Sequence, residues 1–327
     1  MVIYGILNQS DSLQYIRINR TFLGEGNAYQ MAAIHDSTNY KYLLNVRLER
    51  WSIGGGQLLG TYPIDTTSMI PQDPGTFANA PQVLYRVHTP LAGSANPNPL
   101  TDDSEYHLTV VNPVTGYKAT ATTVLVQGVN SSTGTGLQIN SPNPGFSSWT
   151  FYNLLHPLNL TFTTGGNGKL YQLILRFHYT ETGISGTVPR FVDMDFGQRT
   201  SATIAGGEQL LETLPWNGFV TFMNSAIADD PTVSARIMGN CDLIIYAATD
   251  EFNTYVQVNQ PVSSITGDKP TYTNITNGIG LFSARYSFNS QAYSKPIAAQ
   301  TLDQLTMDSR TCHLHFQDHT GVVPACP

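Results

Sequence analysis

Two stretches of the chain hold the residue types that bind metals or move protons. Near the C-terminus, Cys312, His313, His315 and Cys326 supply two thiols and two imidazoles, the ligand types zinc prefers. On a strand, His313 and His315 would share one face while Cys312 points to the other, so these three do not converge on one ion. Their spacing also matches no zinc signature. A second reading joins Cys312 to Cys326 in a disulfide, worth about 3 kcal/mol for a loop of this length if the geometry permits; two free thiols are the alternative. The other stretch is Phe191-Val192-Asp193-Met194-Asp195-Phe196. Asp193 and Asp195 fall on one strand face, where a carboxylate pair can bind calcium or act as acid and base. With Val192, Met194 and Phe196 on the opposite face, the simpler reading is a strand with its polar side in water.

Other motifs lead nowhere chemical. Asp102-Asp103-Ser104-Glu105 precedes a strand as a solvated turn and lacks the spaced oxygens of an EF-hand. Gly24-Glu25-Gly26 is followed by no Gly-Lys-Ser/Thr, so it is no phosphate loop. Neither a Gly-x-Ser-x-Gly elbow nor a His-Glu-x-x-His motif occurs. The sequence therefore assigns no catalytic residue, no cofactor and no metal ligand.

The elements that would position these residues are mainly β-strands. Leu44, Val46 and Leu48 alternate with Asn45, Arg47 and Glu49, the period-two signature of a half-buried strand. Tyr106, Leu108 and Val110 repeat it, and Asn112-Pro113-Val114-Thr115-Gly116 then turns the chain into Tyr117 to Thr122 as a hairpin. Tyr171, Leu173, Leu175, Phe177 and Tyr179 form the clearest face, with a return strand from Val188 to Phe196. A further hairpin is predicted from Leu158–Phe162 through Gly165-Gly166-Asn167-Gly168 to Leu170. Helices are few. Phe219, Phe222, Met223, Ala226 and Ile227 make one amphipathic stripe, stopped by Asp230-Pro231. Residues 250–260 form another, with Phe252, Tyr255 and Val256 inward and Thr249 as N-cap, and residues 28–34 form a shorter one.

The expected fold is mainly β: an immunoglobulin-like β-sandwich over residues 1–127, then a larger β-rich sandwich domain with two or three short helices over 146–310. Residues 128–145, rich in Gly, Ser, Thr, Asn and Pro, read as a linker or long loop, and 311–327 as a C-terminal tail. The cysteine–tryptophan core of antibody domains is absent, so the likeness is architectural.

Composition narrows the function classes. Only 12% of the 327 residues are charged, against about 25% in an ordinary soluble domain. Sixteen Lys and Arg against 23 Asp and Glu leave no basic excess for nucleic acid. No run of about 18 apolar residues reads as a membrane span. Met1 leads straight into a strand-like Val2–Leu7, so an export signal is expected only upstream of it. Cys241 opens the apolar run Leu243-Ile244-Ile245 and reads as an inert buried thiol. The 17 Tyr, 14 Phe and 3 Trp suit stacking on sugars or docking on a protein, although core filling claims most of them.

Several segments carry a family resemblance. Val2–Ser12 leads into Tyr15-Ile16-Arg17-Ile18-Asn19-Arg20-Thr21-Phe22-Leu23-Gly24-Glu25-Gly26. Tyr106–Val111, Ala247–Tyr255 and Asn274-Ile275-Thr276-Asn277-Gly278-Ile279-Gly280-Leu281-Phe282 follow in order. Together they resemble exported Bacteroidetes lipoproteins of unknown function, domain-of-unknown-function family 4249 or a near relative. The resemblance implies an ectodomain at the outer membrane or cell surface, anchored by a lipid on a cysteine upstream of Met1. It also implies an accessory or binding role toward an outer-membrane receptor, a surface protein or a glycan, and it transfers no catalytic residue. A hydrolase or metal-dependent enzyme using Asp193 and Asp195, or His313 and His315, is the alternative.

Overall fold

A computed structural model describes residues 1–21, 27–70, 75, 82–91, 98–129, 131, 134–153, 155–184, 186–260 and 271–327, with Ala28 and Tyr29 as backbone only. Gly24-Glu25-Gly26 lies outside the described residues. Strands take 44% of the residues and helices 15%, so the protein is mainly β. The chain forms two compact units.

Unit 1 comprises Met1–Thr135, Gly166–Leu170 and Ala247–Tyr286. One of its sheets is built from β1 (Val2–Asn8), β2 (Leu13–Asn19), β5 (Ile64–Thr67), β6 (Leu84–His88) and residues 279–286 of β15 (Ile279–Asn289), in the order β15-β1-β2-β6-β5. The other has the order β4-β3-β7-β8, from β3 (Asn45–Ser52), β4 (Leu58–Thr61), β7 (Ser104–Val111) and β8 (Lys118–Val124). Alternation explains the sandwich: Ile3, Leu7, Ile16, Ile18 and Val87 from the first sheet meet Leu48, Tyr106, Leu108 and Val110 from the second in one core. Two short helices, α1 (Ala28–Ala32) and α2 (His35–Thr38), take the place of the single helix expected over 28–34.

The interleaving of the units differs from the contiguous domains read from sequence. β1 pairs antiparallel with β2 on one side and parallel with β15 on the other, Val2 opposite Ile279 and Gly5 opposite Phe282. Parallel neighbours need a long crossover, so this partner comes from far along the chain. The motif Asn274 to Phe282 fits β15 into place. Asn274 accepts from the Phe282 N–H at 2.9 Å and donates to its carbonyl at 2.6 Å, doing with a side chain what a neighbouring strand would do. Gly280 has φ +121° and any Cβ there would run into the Ile3 carbonyl, which accounts for the glycine.

Unit 2 comprises Gly136–Gly165, Tyr171–Tyr246 and Ser287–Pro327. Its strands are β9 (Gln138–Ser141), β10 (Leu158–Thr163), β11 (Leu170–Gly183, from Tyr171), β12 (Gly186–Thr200), β13 (Gln209–Leu214), β14 (Val233–Ala248, to Tyr246) and β16 (Lys295–Pro296). They run β12-β11-β14 with β16 on β14, and separately β13-β10-β9. The stretch read as a linker thus contains a strand, β9, opposite β10. β10 does not form a hairpin with β11; it pairs with β9 and β13. The Gly166-Asn167 segment stays with unit 1 instead, where Gln127 N donates to Gly166 O at 2.8 Å and Asn167 Nδ2 to Leu125 O at 3.0 Å.

Three helices complete the described elements: α3 (Trp216–Ala226) and α5 (Ala299–Met307) in unit 2, and α4 (Asp250–Asn259) in unit 1. α3 buries Phe219, Val220 and Met223, with Ile227 buried just beyond it and Phe222 half-buried. Thr249 precedes α4, but its hydroxyl donates to Glu251 rather than accepting from the helix backbone. Residues 311–327 are no loose tail. Leu314 and Phe316 are buried, and Cys312 is disulfide-bonded to Cys326. Among the described residues, no helix is long and apolar enough to cross a membrane.

Candidate binding cleft

The concave surface of unit 1 gathers around residues 40–47, a stretch of chain that leaves α2 and enters β3. Its ends are tied by side chains. Asn19 Nδ2 donates to the Thr38 carbonyl at 3.1 Å and to Asn39 Oδ1 at 3.2 Å, fixing the exit from α2 to the end of β2. At the other end the Tyr85 hydroxyl accepts from Leu44 N at 2.7 Å. Tyr40 packs partly into the core, whereas Tyr42 and Leu43 stand exposed at 39% and 57%. No strand alternation operates here to turn these side chains inward.

Three depressions flank this stretch. The largest, about 780 Å³, is lined by Arg20, Tyr40, Lys41, Tyr42, Asn112 and Tyr117 among others. A second of about 590 Å³ runs along Leu43 to Arg47 and faces Asp65, Tyr85 and Thr109. A small one of about 170 Å³ lies against His35, Val83 and Tyr85. Such volumes fall near the roughly 300–1,000 Å³ of ligand pockets. The ring of Tyr42 stands 6.0 Å from that of Tyr40, and the Arg20 guanidinium lies 6.0 Å over Tyr40. Tyr117 is exposed, yet its hydroxyl is held by a 2.8 Å bond to Asn277 O. The turn beneath it is shaped by Asn112, whose Oδ1 accepts from Val114 N and Thr115 N.

Burial and ion pairing set the charge states of several groups on this surface. Burial pushes the Tyr40 and Tyr85 phenols up, so both remain neutral hydrogen-bonding groups at ordinary pH. The Arg86 guanidinium holds the Asp65 carboxyl far below the usual range through bonds of 2.8 and 2.6 Å, and His88 sits 3.1 Å from the same carboxylate. The wall continues onto the outer face of β3 and β7, where Trp51 stacks on His107 at 5.4 Å and 17°. Glu105 Oε1 accepts from His107 Nε2 at 2.7 Å.

The residues singled out from sequence lie elsewhere. Asp193 and Asp195 share the outer face of β12 as expected, but each has partners. Arg176 grips Asp193 with two 2.7 Å bonds while its guanidinium covers the Phe191 ring at 4.3 Å. Asp195 accepts from Gln172 at 2.6 Å and from Gly197 N at 2.7 Å. His313 and His315 are not on a strand: residues 312–314 form a 3₁₀ turn and His315 has φ +56°, because the disulfide and the buried Leu314 fold this segment onto unit 2. His315 Nδ1 donates to Val233 O at 2.9 Å. Asp103 is bonded to Thr101, Ser104 and Arg50, which makes its segment an anchored turn. Among the described residues, no three His, Cys, Asp or Glu side chains converge as metal ligands would. The sequence reading missed His178 and Asp242, 2.9 Å apart on β11 and β14, where Asp242 Oδ1 is buried without a protein partner.

Tyr40, Tyr42, Tyr117 and Arg20 also escaped sequence reading. The available signal was Tyr40-Lys41-Tyr42, two tyrosines around a lysine in a stretch that belongs to no alternating strand.

No family model matches this chain, and no curated protein matches it. Among solved structures it is similar to a DUF4785 family protein from Legionella pneumophila, with 11% identity over 72% of this chain and a TM-score of 0.18. The match spans 53% of that protein's length, and a score so low supports no argument about fold or role. The resemblance to family 4249 therefore rests on the sequence segments alone.

Proposed function

We propose that this protein is a non-enzymatic binding protein, an exported lipoprotein ectodomain of the kind family 4249 resembles, that holds a glycan in the tyrosine-lined cleft of unit 1. The observation that carries this reading is the stretch from Tyr40 to Arg47: exposed rings of Tyr42 and Tyr117 beside Arg20, Lys41 and Asn112 around a depression of about 780 Å³. A sugar ring offers an apolar face for the tyrosines and hydroxyls for the amide and cationic groups. Export is supported by the Cys312–Cys326 disulfide, since such bonds persist in oxidising compartments. A lipid anchor upstream would place the ectodomain at the outer membrane or cell surface, where an accessory role beside a receptor fits a low-charge β-protein.

Affinity electrophoresis of the whole chain through gels carrying single polysaccharides tests the reading. At least one polysaccharide is expected to retard the protein. Aromatic contacts contribute about 0.5–1.5 kcal/mol each beyond buried area, so replacing Tyr42 and Tyr117 together by Ala should weaken retardation about tenfold. Retardation that survives the double replacement, or none with any polysaccharide, rejects the cleft.

A further inference from the structure

The charge lining the 780 Å³ depression of unit 1 runs against that of the chain. The protein carries 23 acidic and 16 basic side chains, yet among the described residues the wall of the 780 Å³ depression includes Arg20 and Lys41 and no Asp or Glu. Lys41 is partly spoken for, with its ammonium 2.9 Å from Asp36. Arg20 is different. Among the described residues nine arginines are in ion pairs: Arg47, Arg50, Arg86, Arg176, Arg190, Arg199, Arg236, Arg285 and Arg310. Arg17 and Arg20 make none among those residues; Arg17 Nε donates to Asn19 Oδ1 at 2.7 Å, whereas Arg20 lines the depression. Arg20 Nη1 donates to the Asp36 backbone carbonyl at 3.2 Å, and its central carbon lies 6.0 Å over the Tyr40 ring. Those two contacts orient the guanidinium without neutralising it, and its donors remain in excess of its acceptors. A planar fork held this way matches the two oxygens of a carboxylate or the oxygens of a sulfate, which a lysine would meet only as a point charge.

We propose that the cleft selects an anionic saccharide, with the carboxylate or sulfate of the sugar on Arg20 and the ring against Tyr42 and Tyr117. This rests on the glycan-binding reading above and adds the charge class of the ligand. Tyr117 is pre-positioned by its bond to Asn277 O, so the stacking face costs little ordering on binding.

Calorimetric titration of the whole chain with three tetrasaccharides separates the outcomes: a galacturonate oligomer, a sulfated galactan oligomer and a neutral galactan oligomer. At least one acidic oligomer is expected to bind ten or more times tighter than the neutral one, less so as salt rises. Arg20→Gln should remove that preference, bringing the acidic affinity down to about that of the neutral oligomer, with the melting temperature unchanged because Arg20 is exposed. Arg20→Lys should keep the salt dependence and lose part of the preference. Which acidic oligomer wins identifies carboxylate or sulfate as the recognised group. Equal binding of all three, unaffected by Arg20→Gln, overturns the anionic preference and leaves glycan binding standing. No binding of any of them, with no polysaccharide retarding the protein either, rejects both.

Discussion

Arg236 is the residue whose surroundings demand its side chain most strictly. It is 1% exposed, and its guanidinium donates to Glu181 Oε1 at 3.0 Å, Leu314 O at 2.6 Å and Ala228 O at 3.0 Å. One side chain thus ties β14, β11, the segment after α3 and the disulfide-closed C-terminal turn of unit 2. Truncation would leave two carbonyls unpaired and a carboxylate supported only by Arg190. Removing one partner of a buried ion pair costs about 3–5 kcal/mol, so Arg236→Met should lower unfolding free energy by that order in urea titration. Arg236→Lys should recover little, because one ammonium cannot reach three separated acceptors. No pattern in the sequence flags this arginine. It sits among Ser234, Ala235 and Ile237 as an ordinary strand residue, and only the folded neighbours show that it is enclosed.

At the scale of the element, α3 was legible because its stripe recurs at helical spacing and a proline ends it. The packing refined that reading. Phe219 is fully buried and stacks on Phe151 at 4.6 Å and 7°, while Phe222 is only half-buried. Phe219→Ala should therefore cost about 3–5 kcal/mol in thermal or chemical unfolding, and Phe222→Ala clearly less; equal losses would contradict this arrangement. α5 escaped notice because only Leu302 and Leu305 recur at helical spacing while Met307 is exposed, and the buried side chains that anchor it include Thr301 and Thr306. Thr301 Oγ1 accepts from Phe151 N at 3.0 Å, a long-range bond that hydropathy does not encode. The hairpin placed through Gly165 to Gly168 failed for a related reason. A glycine-rich link is compatible with a tight turn, but here it lies along residues 125–127 instead.

For the whole molecule, the consequence of β15 lying beside β1 can be tested directly. Residues 247–286 belong to unit 1, so a chain ended at Gln127 lacks the strand that covers one edge of β1 and contributes Phe282 and Ala284 to the core. Such a fragment should show no cooperative thermal transition. A protease cut between Gly128 and Gly145 in the full chain should leave two pieces that co-elute on gel filtration and part only in denaturant; separate elution would contradict the interleaving. By itself the sequence determined the class and many elements: period-two runs such as Tyr171 to Tyr179, the Asn112–Gly116 turn and the α3 stripe depend on neighbours a few residues away. Tertiary structure alone decided which sequence-distant strands pair, β15 beside β1 above all, because a parallel partner can come from anywhere along the chain. It likewise decided that Asp193 is gripped by Arg176 and that Tyr40, Tyr42, Tyr117 and Arg20 border one cleft. Their segments are joined by the Asn19–Asn39, Tyr85–Leu44 and Tyr117–Asn277 bonds between positions distant in sequence, and no local pattern records such bonds.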